Sequence, residues 1–457
     1  MPPSLPKRAG AVVTAIVLCT AASVSVVAAI RHQSRPALLP ASGCGTYTGT
    51  GCGPASARVD LARPKFSHPT EITNPLFPIS TIDSVVLLGR VEGKPFRSET
   101  TLLPRTTTVD WDGEHIQVSM SQYLAYVDGQ IEEMALDRYA QADDGSVWYF
   151  GEDVFDYVNG RIAVSEGTWL AGRDGPPAMI MPAHPRPGDV FRSENVTGVV
   201  FEELRVNKVD LPVDGPSGKV RGAVTMDELH VDGVTVSGKT FAPGYGEFLT
   251  TDGDDIEAVA VAHGTDSRHG PLPAALGQLA TRAWGVVESI RLEDWPAARS
   301  TARQMAADWA SLAGQRLPPR VADEMERAIT RLGHAIDAEK ADAGVAETIA
   351  VAQSATDLTL LYRKPVDVDI ERVHLHAQRL RVAAAATDTA AVSGEVSVLG
   401  WVAERIGGHL SAADRRQLDS RISDLRATDA TGNAAATADA AARLAAWLRG
   451  SVHPAES

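Results

Sequence analysis

Between about Val59 and His263, apolar and polar residues alternate. Ile116, Val118, Met120 and Leu124 hold even positions, with Gln117, Ser119 and Ser121 between them. That is the period of a strand with one buried face. Turn signals recur at Asp128-Gly129, Asp144-Gly145, Asn159-Gly160 and Asp232-Gly233. Asp-Gly and Asn-Gly supply the positive φ that tight hairpin turns require. Consecutive hairpins make neighbouring strands antiparallel. The stretch 59–268 is therefore expected to be an antiparallel β-meander, a curved sheet or partial barrel.

Beyond about Pro271 the period changes. Trp295, Ala298, Ala302, Met305, Trp309 and Leu312 recur every three or four residues. Val366, Ile370, Val373, Ala377, Leu380 and Ala384 do the same, as do Val392, Val396, Leu399, Ala403, Ile406 and Leu410. Each set is a helical stripe that must be buried. Breaks fall at Pro271, Pro296, Pro318-Pro319, Pro365 and Gly407-Gly408, and Ser411 with Asp414 resembles a capping box. About eight helices with short connections fit 269–452, which predicts a separate all-α bundle of antiparallel neighbours. No repeat period stands out, so a solenoid is not expected. The fold class is α+β.

The ends and the composition set the compartment. Ala9–Ile30 is uncharged and apolar, preceded by Lys7 and Arg8 and followed by Arg31. Such a segment, roughly 33 Å long as a helix, spans a bilayer core. Basic residues before it favour an inside N-terminus. Val26-Val27-Ala28 or Val27-Ala28-Ala29 offers a small-residue cleavage site, so a retained anchor and a cleaved signal both stay open. In either case the body is exported. Cys19 invites a lipoprotein reading, which Leu18 disfavours. The formal charge of -15 over 457 residues excludes a basic nucleic-acid footprint.

Residues 32–58 are rich in Gly, Ser, Thr, Ala and Pro and read as a flexible stalk. Cys44 and Cys52 sit there in a Gly-Thr-rich loop, where an oxidising exterior favours a disulfide. The alternative, a two-thiolate metal site, lacks two further ligands nearby.

Asp137 to Glu152 reads Asp-Arg-Tyr-Ala-Gln-Ala-Asp-Asp-Gly-Ser-Val-Trp-Tyr-Phe-Gly-Glu. It resembles the Asp-Trp-Tyr-Ala-Gln…Gly-Asn-Val-Trp-Tyr-Phe-Gly-Glu signature of a group of exported bacterial proteins common in actinobacteria. Thr73 to Pro78, Glu166 to Trp169, Met181 to Pro185 and Phe241 to Gly246 add to the resemblance, which spans about 66–250. The chain departs from the signature at Arg138 and Ala142. The resemblance implies export and a strand-rich fold and transfers no catalytic residue.

Candidate chemistry gathers in this same stretch. Tyr139, Trp148, Tyr149, Phe150, Phe155, Tyr157 and Trp169 lie close in sequence, although aromatics are only 5% of the chain. Tyr139, Trp148, Phe150, Glu152 and Trp169 are the candidate ligand-binding set, a stacking platform with a carboxylate beside it. The competing reading is that these rings fill the core. Asp137, Asp143, Asp144, Glu152, Asp153 and Glu166 supply carboxylates, and Glu152 with Asp137 or Glu166 would suit glycoside hydrolysis. Asp143-Asp144-Gly145 reads equally as a turn. No calcium-loop spacing appears among these acids.

His374 and His376 stand two apart on a helix, which points the rings to different edges. His334 with Asp337 reads as surface, and His68 and His184 precede prolines in loops. Zinc-protease, phosphate-loop and Gly-x-Ser-x-Gly patterns are absent from the sequence. The segment Gly172–Pro182 reads either as a lid over the sheet or as a plug. No cofactor is implied, and no catalytic or metal residue is assigned.

The expectation is a membrane-anchored extracytoplasmic protein, held by Ala9–Ile30, that binds a small molecule, a lipid or a protein partner. The alternatives are an exported hydrolase using the carboxylates near Trp148 and an extracytoplasmic metal-binding module.

Overall fold

The structure is a computed structural model and describes residues 53–229 and 235–451. The apolar segment Ala9–Ile30 and the pair Cys44 and Cys52 lie outside the described residues. No helix among the described residues is long and apolar enough to cross a membrane.

One antiparallel sheet carries the first half of the chain. It begins with β1 (Ser84–Val91), β2 (Lys94–Trp111), β3 (Glu114–Val127), β4 (Gln130–Gln141), β5 (Val147–Val158) and β6 (Arg161–Val164). Two short strands, β7 (Trp169–Leu170) and β8 (Ala178–Met181), pair with β5. The chain continues through β9 (Val190–Val196), β10 (Val200–Gly215), β11 (Gly218–Leu229), β12 (Thr235–Ala242), β13 (Gly246–Asp252) and β14 (Asp255–Ala262). The strand order is β6-β5-β4-β3-β2-β1-β14-β13-β12-β11-β10-β9, so two meanders join where β1 pairs β14.

The turns follow the sequence signals. Asp128-Gly129 takes φ of 50° and 73°, and Asn159-Gly160 takes 53° and 73°. Glu92-Gly93 and Asp112-Gly113 adopt the same paired positive φ, because the right-handed twist of the flanking strands demands it. Asp144-Gly145 is a different turn: Asp144 Oδ1 accepts the Ser146 amide at 2.9 Å. Asp232-Gly233 lies outside the described residues.

The sheet has two faces with different neighbours. The core face holds one apolar cluster that joins Tyr149 of β5 to Phe191 of β9, Leu204 of β10 and Met226 of β11, strands from opposite ends of the order. β8 pairs β5 and also packs beside β9. The other face is covered by helices. Leu124, Ile131 and Met134 share a core with Val373, Leu399 and Leu444. Val86 and Val261 share another with Leu276, Met325 and Leu358. The helices are thus not the separate bundle that their stripes predicted, because those stripes close partly on the sheet.

That cover also changes β3. Ile116 and Val118 belong to the core face, but Met120 and Leu124 belong to the helix face. The expected single stripe is split by a register shift between Leu102 and Thr106 of the partner strand. Ser121 and Gln122 are buried as well, since both faces are covered here.

Eight helices follow among the described residues: α1 (Ala274–Arg291), α2 (Trp295–Ser311), α3 (Pro319–Asp337), α4 (Ala341–Thr359), α5 (Pro365–Ala385), α6 (Thr389–Gly407), α7 (Ala412–Ala430) and α8 (Ala434–Ser451). α1–α4 and α5–α8 form two four-helix groups with the same neighbour pattern, each first helix packing on its second and its fourth. Pro296, Pro319 and Pro365 open helices rather than interrupting them. Ser411 caps α7, accepting the Asp414 amide at 3.1 Å.

A repeat is visible here that the sequence did not suggest. Glu293, Glu339, Thr387 and Gly432, about 46 residues apart, each end a helix with positive φ and start a tight hairpin. Asp294, Asp388 and Asn433 then cap the next helix, accepting an amide at 3.0 Å in each case. The repeat is one of backbone geometry, with three different residue types in the left-handed position.

Candidate functional site

The site is built on the core face by four neighbouring strands. Ser121 of β3 stands opposite Asp137 of β4, Asp137 opposite Glu152 of β5, and Glu152 opposite Trp169 of β7. Directly opposed side chains in an antiparallel pair lie about 4.5–5.5 Å apart at Cβ. Asp137, Glu152 and Trp169 are each fully buried. Two carboxyls and an indole thus stand in a single transverse row away from solvent.

Gly151 fixes that row. A register shift between Arg138 and Tyr139 leaves Phe150 unopposed on β5, next to Gly151 at φ 121°. A Cβ on Gly151 would lie 2.3 Å from the Trp169 carbonyl oxygen, so only glycine admits β7 this closely. The bulge also breaks the strict alternation expected of Val147 to Glu152. Tyr149, not Trp148, reaches the row: its hydroxyl donates to Asp137 Oδ1 at 2.7 Å.

The two carboxyls differ in their partners. Asp137 accepts from Tyr149 and, at 3.4 Å, from the Ser121 hydroxyl. The Tyr149 hydroxyl, whose proton goes to Asp137, also lies close enough to Glu152 to work against the rise of its pKa, but neither Glu152 oxygen holds a well-formed hydrogen bond of its own. The Trp169 indole N–H likewise meets no acceptor. Burial pushes the Glu152 carboxyl well above its ordinary range, and the charges of Glu194, Asp137 and Glu133 push it the same way.

The acidity extends across the core face. Glu194 of β9 stands opposite Glu202 of β10, and the Ser193 hydroxyl donates to Glu202 Oε1 at 2.7 Å. Lys239 Nζ lies 2.9 Å from Glu228 Oε2. Burial opposes the Lys239 charge, but Glu228, Glu247 and Glu202 outweigh it and raise its pKa. Burial raises the Glu247 carboxyl, although Lys239 and a hydrogen bond from Thr250 work against this.

Of the predicted set, Glu152 and Trp169 come together. Tyr139 stacks on Tyr149 at 4.8 Å and meets Phe77 edge-on at 4.9 Å. Phe150 packs on Phe66 at 5.4 Å and Trp111 at 6.3 Å. Trp148 is 5% exposed and donates to the Ser146 hydroxyl at 2.8 Å. These three rings fill the core rather than offering an open platform. Phe155 and Tyr157 face the helices instead, at Trp401.

The other candidates disperse. Asp143 accepts from Ser67 at 2.7 Å and works as a loop anchor. Asp153 pairs with Arg138. Glu166 is exposed and acts on Asp156, not on Glu152. His376 Nδ1 bonds Glu395 Oε2 at 2.7 Å, while His374 packs edge-on to Trp284 at 5.8 Å, so the two rings diverge. Burial pushes His374 down to about 4. His68, His184 and His334 are exposed. Within Gly172–Pro182, β8 is buried and joins the core cluster, which is the plug arrangement. Among the described residues, no three His, Cys, Asp or Glu side chains are grouped to hold a metal ion.

Sequence reasoning passed over Glu194, Glu202, Glu228, Lys239 and Glu247. The available signal was parity: Glu202 falls between Val200 and Leu204, at positions two apart on an apolar strand. No family model, curated protein or solved structure matches the chain.

Proposed function

We propose that this chain is a membrane-anchored extracytoplasmic binding protein without a catalytic role, its sheet curled into a partial barrel around a polar ligand site. The observation that carries the reading is Glu152, fully buried with no well-formed hydrogen bond to either oxygen, beside an indole N–H with no acceptor. Unmet polar groups at such depth cost about 1–3 kcal/mol each, so they mark a place where a guest restores bonds. Core-filling Tyr139, Trp148 and Phe150 argue for a small polar guest over a lipid. The resemblance to exported proteins and the segment Ala9–Ile30 support the compartment.

The test is a thermal-shift screen of the full-length protein in detergent against amines, sugars, amino acids and lipids. A polar compound should raise the midpoint in the wild type and not in Glu152→Gln. A lipid-only response, or turnover of glycosides or esters without any binder, would refute the reading.

A second reading, an exported hydrolase, is favoured by one observation. Asp137 and Glu152 stand side by side on one face with unlike environments, the pattern of an acid beside a nucleophile. Complete burial counts against it, because a glycoside must reach both groups. Chromogenic glycosides distinguish the two: turnover abolished by both Asp137→Asn and Glu152→Gln would establish the hydrolase.

A further inference from the structure

We propose that the Asp137–Glu152 pair seats a small organic ammonium ion, a primary or methylated amine in its charged form. The inference rests on the binding reading and names the chemical class of the guest.

Three observations converge on a cation of this kind. The charges with most influence on Glu152 are all negative: Glu194, Asp137 and Glu133. A positive guest offsets this repulsion, whereas an anion or a neutral acceptor adds to it or leaves it unchanged. Neither Glu152 oxygen holds a well-formed hydrogen bond, the Tyr149 hydroxyl nearby being spent on Asp137, and an ammonium brings up to three N–H donors, or a diffuse positive surface when methylated. The rings of Tyr149 and Trp169 meet edge-to-face at 5.4 Å beside the carboxyls. Aromatic walls of that kind suit the alkyl part and the charge together.

A metal ion fits less well. Hard cations need several oxygens converging at about 2.0–2.6 Å, and no such group exists among the described residues. Ammonium bonds are longer, about 2.7–2.9 Å to a carboxylate, which two carboxyls on neighbouring strands accommodate.

Binding has a balance that can be measured. Before the guest arrives, Glu152 holds a proton well above the usual carboxylate range. Contact with R–NH3+ favours the carboxylate, so the Glu152 proton passes to buffer as the ion pair forms. Calorimetry of the full-length protein, in two buffers of different ionisation enthalpy, should register net proton release on binding methylamine, putrescine or choline, larger at pH 5 than at pH 8. Glu152→Gln should weaken that binding at least about 30-fold and abolish the proton release. The wild-type proton count needs no variant, so it stands even if Glu152→Gln folds poorly.

If sugars or amino acids raise the thermal midpoint while all amines are silent, the binding reading survives and the ammonium assignment falls. Calcium, magnesium or zinc binding that Glu152→Gln removes, with amines silent, also overturns the assignment. Amine binding without proton release, or unaffected by Glu152→Gln, overturns it too. Silence of every probe brings down both readings.

Discussion

Two buried polar regions lie on opposite faces of one sheet, and they are balanced differently. On the helix face, Arg97, Arg372 and Arg405 meet Glu99, Asp357 and Asp369. Arg97 Nη2 lies 2.7 Å from Glu99, Arg405 Nη1 lies 2.8 Å from Glu99, and Arg372 Nη1 lies 2.8 Å from Asp369. Gln122 of β3 accepts from Arg405 at 2.6 Å. Burial disfavours the Glu99 charge, yet Arg372, Arg97 and Arg405 more than offset that and hold its carboxyl well below the usual range. On the core face, burial and neighbouring carboxylates drive Glu152 upward. Ser98 and Glu99 are adjacent in β2, yet they serve opposite faces.

The difference separates a structural device from a candidate site. The helix-face network closes its electrostatics with side chains from β2, α4, α5 and α6, and so ties both four-helix groups to one strand. Around Glu152, the charges with most influence share its sign. Desolvating charge is costly either way; the first region offsets the cost with arginines in direct contact with its carboxyls, whereas the leading charge effects on Glu152 are repulsive.

The comparison can be broken at its strongest point first. Glu99→Ala removes the shared anion from three buried arginines, and stability should fall by about 3–5 kcal/mol in urea unfolding. A loss under 1 kcal/mol would mean that Asp357 and Asp369 suffice, and that the network is not balanced as described. Gly151→Ala comes next. It places a methyl against the Trp169 carbonyl at a φ that L-residues rarely adopt, so about 2–3 kcal/mol should be lost. The tryptophan fluorescence of the folded protein should shift as β7 is pushed away. An unchanged spectrum and stability would show that the row does not depend on this bulge.

Much of this was legible in the chain, and the limits have physical causes. The helical stripes and prolines marked α2, α5 and α6 because periodicity and capping are local. Asp128-Gly129 and Asn159-Gly160 placed hairpins for the same reason. Arg97 and Glu99 carry no local signal of burial in the sequence. Their burial depends on Asp357, Arg372 and Arg405, more than 250 residues away. Ile116 and Met120 could not be assigned to different faces, because the deciding bulge sits in β2. Glu152 and Trp169 were found through their local motif. Glu194 joins them only through the course of the sheet, which no short window encodes. The helical hairpin repeat stayed hidden because the left-handed position accepts Glu, Thr or Gly.

The smallest predicted effect is the sharpest test of the core face. Glu152 has a raised pKa in the folded state, while in the unfolded chain it titrates near 4.3. Its favourable contribution is therefore fully present below that unfolded value and is lost as pH rises towards the folded value. Glutamine keeps the shape and does not titrate. The stability difference between Glu152→Gln and wild type should thus be near zero around pH 4 and grow steadily in favour of the variant towards pH 8. Glu99 has the opposite slope, since its folded value is depressed and its contribution is lost as pH falls below the ordinary carboxylate range. Subtracting the wild-type curve from the Glu152→Gln curve removes that acid arm and isolates the core face. Parallel curves from pH 4 to 8, or a variant less stable at pH 8, would show that Glu152 is ionised and satisfied in the fold, erasing the contrast between the two faces.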